Sequence, residues 1–98
     1  MEQHDLIHIE KLCAHYNIEY TFIDALENIG RIEIRTIEQV KFIHQDTIGD
    51  LEKMIRLHHE LNVNAEGIDV VLNLLEKEMQ LRQEVISLKN KLRLYENE

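Results

Sequence analysis

A chain of 98 residues can build one small core, and 44% hydrophobic against 31% charged residues is a balance that folds. The formal charge is −8 and is evenly shared: residues 1–45 hold eight acids and four bases, residues 46–98 eleven and seven. Such a field repels phosphate backbones and favours basic partners, so nucleic-acid binding starts at a disadvantage.

Cys13 is the single cysteine, which excludes an intramolecular disulfide. The start MEQHDLIHIE has neither the basic region nor the apolar run of a secretory signal. The longest apolar runs fall far short of the roughly 20 residues that cross a bilayer. The expectation is a cytoplasmic chain without a membrane span.

In chain order, a short apolar start at Leu6–Ile9 leads into Ile9, Leu12 and Cys13 at helical spacing, which predicts a first short helix ended at Asn17. Phe22, Ile23, Leu26 and Ile29 then share one face of a second helix, with Gly30 as its left-handed cap. Two short helices joined by a tight turn predict a helix-turn-helix. Ile32 and Ile34 alternate with charges, Val40 and Phe42 flank Lys41, and TIEQ lies between as a turn, predicting a small two-stranded wing.

A third helix is expected from Asp46 or Thr47 to Asn62, with Leu51, Met54, Ile55, His58 and Leu61 on one side and Thr47 with Asp50 as a weak capping pair. Asn64 caps a fourth helix, Glu66 sits favourably in its first turn, and the helical pattern continues to about Tyr95. At about 1.5 Å per residue this helix spans roughly 45 Å, more than the body of a domain this size covers, so its far end protrudes or pairs.

Leu74, Leu81, Val85, Leu88, Leu92 and Tyr95 follow a heptad-like seam broken by Glu78, which predicts a homodimeric coiled coil. The alternative is a tail folded back on its own chain or frayed beyond Leu88. An adjacent stripe of Ile68, Leu72, Leu75 and Met79 is expected to pack on the domain. Residues 1–63 thus read as a winged helix-turn-helix body including the third helix, and 64–98 as the long terminal helix, one domain overall.

The histidines do not make a convincing metal site. His4 and His8 are four apart but lie where a strand is expected, and the adjacent His58 and His59 diverge by about 100° on a helix. His59 is expected near a packing surface or in a hydrogen bond. Cys13 sits on an apolar helical stripe without a local base and reads as a buried structural thiol. No phosphate loop or nucleophile motif stands out, so no enzyme, cofactor or metal is expected. DNA reading is disfavoured because Asn17 to Gly30 carries Glu19, Asp24 and Glu27 and no Lys or Arg, although the wing offers Arg31, Arg35 and Lys41.

The order of helix-turn-helix, wing, third helix and long terminal helix resembles the MerR-like winged-helix group. The stretch RLHHELNVNAEGIDVVLNLL, continuing into EKEMQLRQEVISLKNKL, is similar to the signature of CbpM-type chaperone modulators, through His59, Glu60, Leu61, Gly67, Ile68, Leu72, Leu74 and Leu81. Physically this stretch is a joint, in which Leu57 and Leu61 can face Ile68 and Leu72 while Gly67 permits close backbone approach.

The resemblance implies binding to the J-domain of a CbpA- or DnaJ-like co-chaperone and interference with its access to DnaK. Charge and expected exposure single out Glu19, Asp24, Glu27, Glu60, Glu66 and Asp69 as partner contacts. Leu74, Leu81, Val85, Leu88 and Leu92 are the expected dimerisation residues. A MerR-like DNA-binding transcriptional regulator and a purely structural coiled-coil adaptor are the other readings.

Overall fold

Three residues with left-handed backbone divide the chain where its helices end. Asn17 has φ 55°, and its N–H donates to the Cys13 carbonyl; Gly30 has φ 82° and Asn62 φ 54°. A left-handed residue costs glycine nothing and asparagine little, so these types stop helices where β-branched neighbours could not. The computed structural model describes residues 5–96, in the order β1 (Leu6–His8), α1 (Ile9–Tyr16), α2 (Tyr20–Asn28), β2 (Ile34–Ile37), β3 (Val40–His44), a 3-10 turn (Gln45–Thr47), α3 (Ile48–Leu61) and α4 (Ala65–Glu96). It is mainly helical, with one small antiparallel sheet.

The end of α2 is a Schellman turn. Gly30 N–H donates to the Glu27 carbonyl at 3.0 Å and Arg31 N–H to that of Leu26 at 2.9 Å. This reversal carries Ile32 into the core and leaves Arg31 facing α4.

The sheet has three strands, where the sequence suggested two. β1 joins β3 on the side away from β2, giving the order β1-β3-β2, both pairings antiparallel. The register sets Ile7 and Ile34 on either side of Ile43, which is wholly buried, so this isoleucine row lays one sheet face on the helices. The hairpin turns at Glu38 (φ 49°) and Gln39 (φ 68°), two positive values in succession that suit a two-residue type I′ loop.

Both strand-to-helix junctions are closed by histidines. Nδ1 of His8 accepts from Glu10 N–H at 3.2 Å ahead of α1, and Nδ1 of His44 accepts from Asp46 N–H at 3.1 Å ahead of the 3-10 turn. Thr47 precedes α3 with no side-chain cap bond, so the expected Thr47–Asp50 capping pair does not form and His44 does the work one turn earlier. His4 lies outside the described residues.

One core gathers Ile9, Leu12, Phe22, Ile23, Leu26, Leu51, Met54 and Ile55 from the first three helices, and α4 contributes only Ala65 and Ile68. Leu72 is half-buried at its edge, and everything from Asn73 to Glu96 is exposed. Two expectations therefore fail. Leu75 and Met79 do not pack on the body, because α4 has left it by then. Leu61 is exposed at the last turn of α3, so the joint closes through Leu57 and Val63 instead. The molecule measures 66 × 35 × 21 Å, with α4 setting the long axis.

Candidate interaction surfaces

The joint between α3 and α4 is built from short-range bonds. Asn64 Oδ1 accepts from Gly67 N–H at 2.8 Å, the N-cap expected from sequence. A Cβ at Gly67 would lie 2.5 Å from Val63 Cγ1 and 3.1 Å from Asn64 Oδ1, so glycine is needed to seat the Val63 side chain and the cap, rather than for a backbone approach. The ring of His58 stacks on Phe22, 4.2 Å between centroids and 19° from parallel, and its Nδ1 lies 2.8 Å from the Val63 carbonyl. His58, not His59, is the packed, hydrogen-bonded histidine; His59 is exposed and only tilts against its neighbour.

A second fastening comes from across the body. Arg31 Nε donates to Asp69 Oδ1 at 2.7 Å, and its Nη2 donates to the Asp69 carbonyl at 3.3 Å and to Asn73 Oδ1 at 2.8 Å. Glu76 lies 3.6 Å from Nη1. These three α4 side chains fall on one face at helical spacing, so a single guanidinium fork fixes the direction in which α4 leaves the body. The Asp69 hydrogen bond, ahead of the opposing cost of burial, raises the Arg31 pKa further. Asp69, expected to meet a partner, is half-buried in this clasp.

The remaining acids are distributed around the body. Glu19 precedes α2 and accepts from Thr21 Oγ1 at 3.3 Å. Tyr20, Asp24 and Glu27 share one face of α2 at spacings of four and three. Lys41 of β3 reaches that face, 4.0 Å from Asp24 and 5.5 Å from the Tyr20 ring centroid. Tyr20 first, then Asp24 and Glu27, hold the Lys41 ammonium above its ordinary pKa. Glu60 is exposed near the end of α3 and Glu66 in the first turn of α4. Among the described residues none of Glu19, Glu27, Glu60 and Glu66 has an ion-pair partner within 4.0 Å.

Cys13 is half-buried, and burial, with Asp24 as a lesser cause, pushes its thiol pKa above the ordinary value. That makes it a poorer nucleophile than a free thiol. Among the described residues no three His, Cys, Asp or Glu side chains are grouped to hold a metal ion.

Along α4 the seam residues Leu74, Leu81, Val85, Leu88 and Leu92 are between 48% and 64% exposed. Arg82 pairs with Glu78 one turn back, which draws the one carboxylate on the seam toward its own helix. No helix among the described residues is long and apolar enough to cross a membrane.

A family model described as MerR HTH family regulatory protein matches residues 7–90. The chain belongs to the MerR helix-turn-helix family. It is similar to the chaperone modulatory protein CbpM of Escherichia coli O139:H28 (strain E24377A), of Escherichia coli K12 (DH10B) and of Shigella boydii serotype 18. Each is 28% identical over 85 residues, covering 86% of this chain and 84% of the relative. No solved structure matches the chain. The aligned length spans both body and α4, so this MerR-family chain shares with CbpM the region that includes the joint as well as the helix-turn-helix.

Proposed function

We propose that this chain is a non-enzymatic chaperone modulator that binds the J-domain of a CbpA- or DnaJ-like co-chaperone and hinders its productive encounter with DnaK. The observation that carries the reading is the similarity to CbpM along 86% of the chain. The surface chemistry agrees with it. α2, the position of a reading helix in a winged helix-turn-helix, presents Glu19, Asp24 and Glu27 with no base of its own, and a basic partner helix is the natural complement of such a face. In this reading Glu60 and Glu66 extend the contact toward the joint, while Asp69 contributes by holding α4 in place.

The seam of α4 is covered by a second copy. Along its length Glu76 and Glu78 sit at one end and Lys89, Lys91 and Arg93 at the other, with Lys77, Arg82 and Glu84 also on the helix. Antiparallel pairing therefore sets unlike charges side by side and keeps Glu78 away from its own copy, whereas parallel pairing stacks like on like.

The test is a calorimetric titration of the full chain with the purified J-domain of a CbpA-like co-chaperone from the same cell, at low and moderate salt. Saturable binding that weakens as salt rises is expected, and Asp24→Lys with Glu27→Lys abolishes it. Absence of binding across the cell's J-domains sinks the proposal. A DNA-binding regulator is the second reading, favoured by the family match and by Arg35, which is exposed on β2 without an ion-pair partner within 4.0 Å among the described residues. It requires salt-dependent DNA affinity that Arg35→Glu removes.

A further inference from the structure

The acid-bearing face of α2 already holds a cation, and it belongs to the chain itself. Strand alternation sets the direction of Lys41. Ile43 of β3 is wholly buried against the helices, so Lys41, two residues back, leaves the same face of the sheet. The turn at Glu38 and Gln39 fixes the register, pairing Lys41 with Thr36 and Val40 with Ile37. Beyond the edge of the core, Lys41 reaches α2, where its Nζ lies 4.0 Å from Asp24 Oδ1 and 5.5 Å from the Tyr20 ring centroid. An aromatic ring and a carboxylate one helical turn apart form a seat suited to an ammonium or guanidinium group.

This contact is not what joins the wing to α2. The side chains of Lys41 and Asp24 are each 42% exposed, and a surface pair at that separation contributes little to stability. Ile23, Leu26 and Ile43 hold the two elements in one core without it. Its effect is electrostatic. It offsets Asp24, while Glu19 and Glu27 have no ion-pair partner within 4.0 Å among the described residues.

A basic side chain arriving from a partner has to take the place of Lys41. A partner with one cation exchanges one ion pair for another and gains nothing net. A helix with bases at three- or four-residue spacing gains Glu27 as well, and the exchange becomes favourable. The displaced ammonium has somewhere to go. Lys41 also lines a hollow of about 310 Å³ with His8, Glu10, Tyr20, Gln39 and Val40, so it can swing aside and stay hydrated beside Glu10. We infer that Lys41 is a resident competitor for the partner face of α2, seated on Tyr20 and Asp24 in the free chain and displaced when a basic helix docks. The inference rests on the proposal that α2 is the partner face, and not on which protein the partner is.

The test uses the full chain and two probes, the J-domain named above and a synthetic helical peptide with lysines at three- and four-residue spacing. A glutamate twin of the peptide is the control. Each is titrated at low salt by fluorescence anisotropy. Lys41→Gln is expected to bind both basic probes about two- to fivefold more tightly than the unchanged chain, the span of an exposed ion pair. Lys11→Gln removes the same charge from α1, beside Ile7 and Ile48, and should give a smaller gain. In an Asp24→Asn background the advantage of Lys41→Gln should vanish. The side-chain resonances of Lys41 should move on adding the lysine peptide and not the glutamate twin.

Weaker binding by Lys41→Gln makes Lys41 a contact or a brace for α2 and overturns the inference. So does a gain no larger than that of Lys11→Gln, or one that survives Asp24→Asn. Binding of neither basic probe overturns it together with the α2 face. A peptide that shows the Lys41 dependence while the J-domain does not bind removes the J-domain reading and leaves the competitor standing. J-domain binding that Lys41→Gln leaves unchanged keeps that reading and removes the competitor.

Discussion

The first two turns of α4, Ala65 to Leu72, and the rest of it, Asn73 to Glu96, are one unbroken helix with opposite surroundings. The basal turns are held at three points: Ile68 in the core, Asn64 capping the N-terminus and Arg31 gripping Asp69. Apart from Asn73 and Glu76 at the Arg31 fork, the distal turns make no hydrogen bond or ion pair to the body among the described residues, yet they repeat apolar residues as regularly as the base does. A periodic pattern therefore reports that a face is to be covered, and not by what. At the base the cover is the chain itself; along the rest the proposed cover is a second copy. An isolated helix of this kind draws little stability from propensity alone.

The sharpest way to break the basal half is Ile68→Ala, which removes a wholly buried side chain and leaves a cavity at the centre of the packing. Denaturant unfolding should show a loss of about 2–5 kcal/mol, with the body and α4 failing together. For the distal half, Leu81→Asp with Val85→Asp should abolish self-association in sedimentation while near-ultraviolet and far-ultraviolet spectra of the body persist. If the body unfolds instead, the two halves are not energetically separable.

Arg31→Ala should cost about 1–2 kcal/mol, because the lost bonds are charge-assisted but partly solvated. Amide exchange in the turns around Asp69 and Asn73 should quicken more than in α1. Asn64→Ala should cost about 1 kcal/mol through the lost cap, read by thermal unfolding.

The smallest effect is alkaline. Burial raises both Cys13 and Tyr16, with Asp24 and Glu52 respectively as further causes. Both groups are neutral when protonated, so the unfolded chain gives up these protons first. Their contribution is whole below the ordinary thiol value of 9.0 and declines as pH climbs through the thiol and phenol ranges. Stability measured between about pH 8 and pH 10.5 should fall, and Cys13→Ala with Tyr16→Phe should flatten that slope.

Much of the fold was legible because local rules decide it. Asn17, Gly30, Asn62 and Asn64 mark helix ends by conformational freedom or capping chemistry, and the alternation around Lys41 marks a strand. A strand was expected near His8, but its place in the sheet was not legible, since three residues carry too little pattern to choose a neighbour and the pairing with β3 joins positions more than thirty residues apart. The imidazole caps escaped notice because His8 and His44 are outside the usual set of capping residues. Arg31 was read as a wing cation, whereas a partner 38 residues away makes it a clasp for α4. Of the acids, Glu19, Glu60 and Glu66 are as exposed as charge patterning suggested, but exposure alone does not distinguish a contact from a solvated surface.

The fork at Arg31 also sets a gearing. The 24 residues of α4 beyond Leu72 extend about 36 Å, so a tilt of about 10° where Asp69 and Asn73 are gripped swings the far tip by roughly 6 Å. Modest events at the body, such as a partner seated near the joint or a competitor for the guanidinium, would be magnified at the tip into a displacement larger than one helical turn.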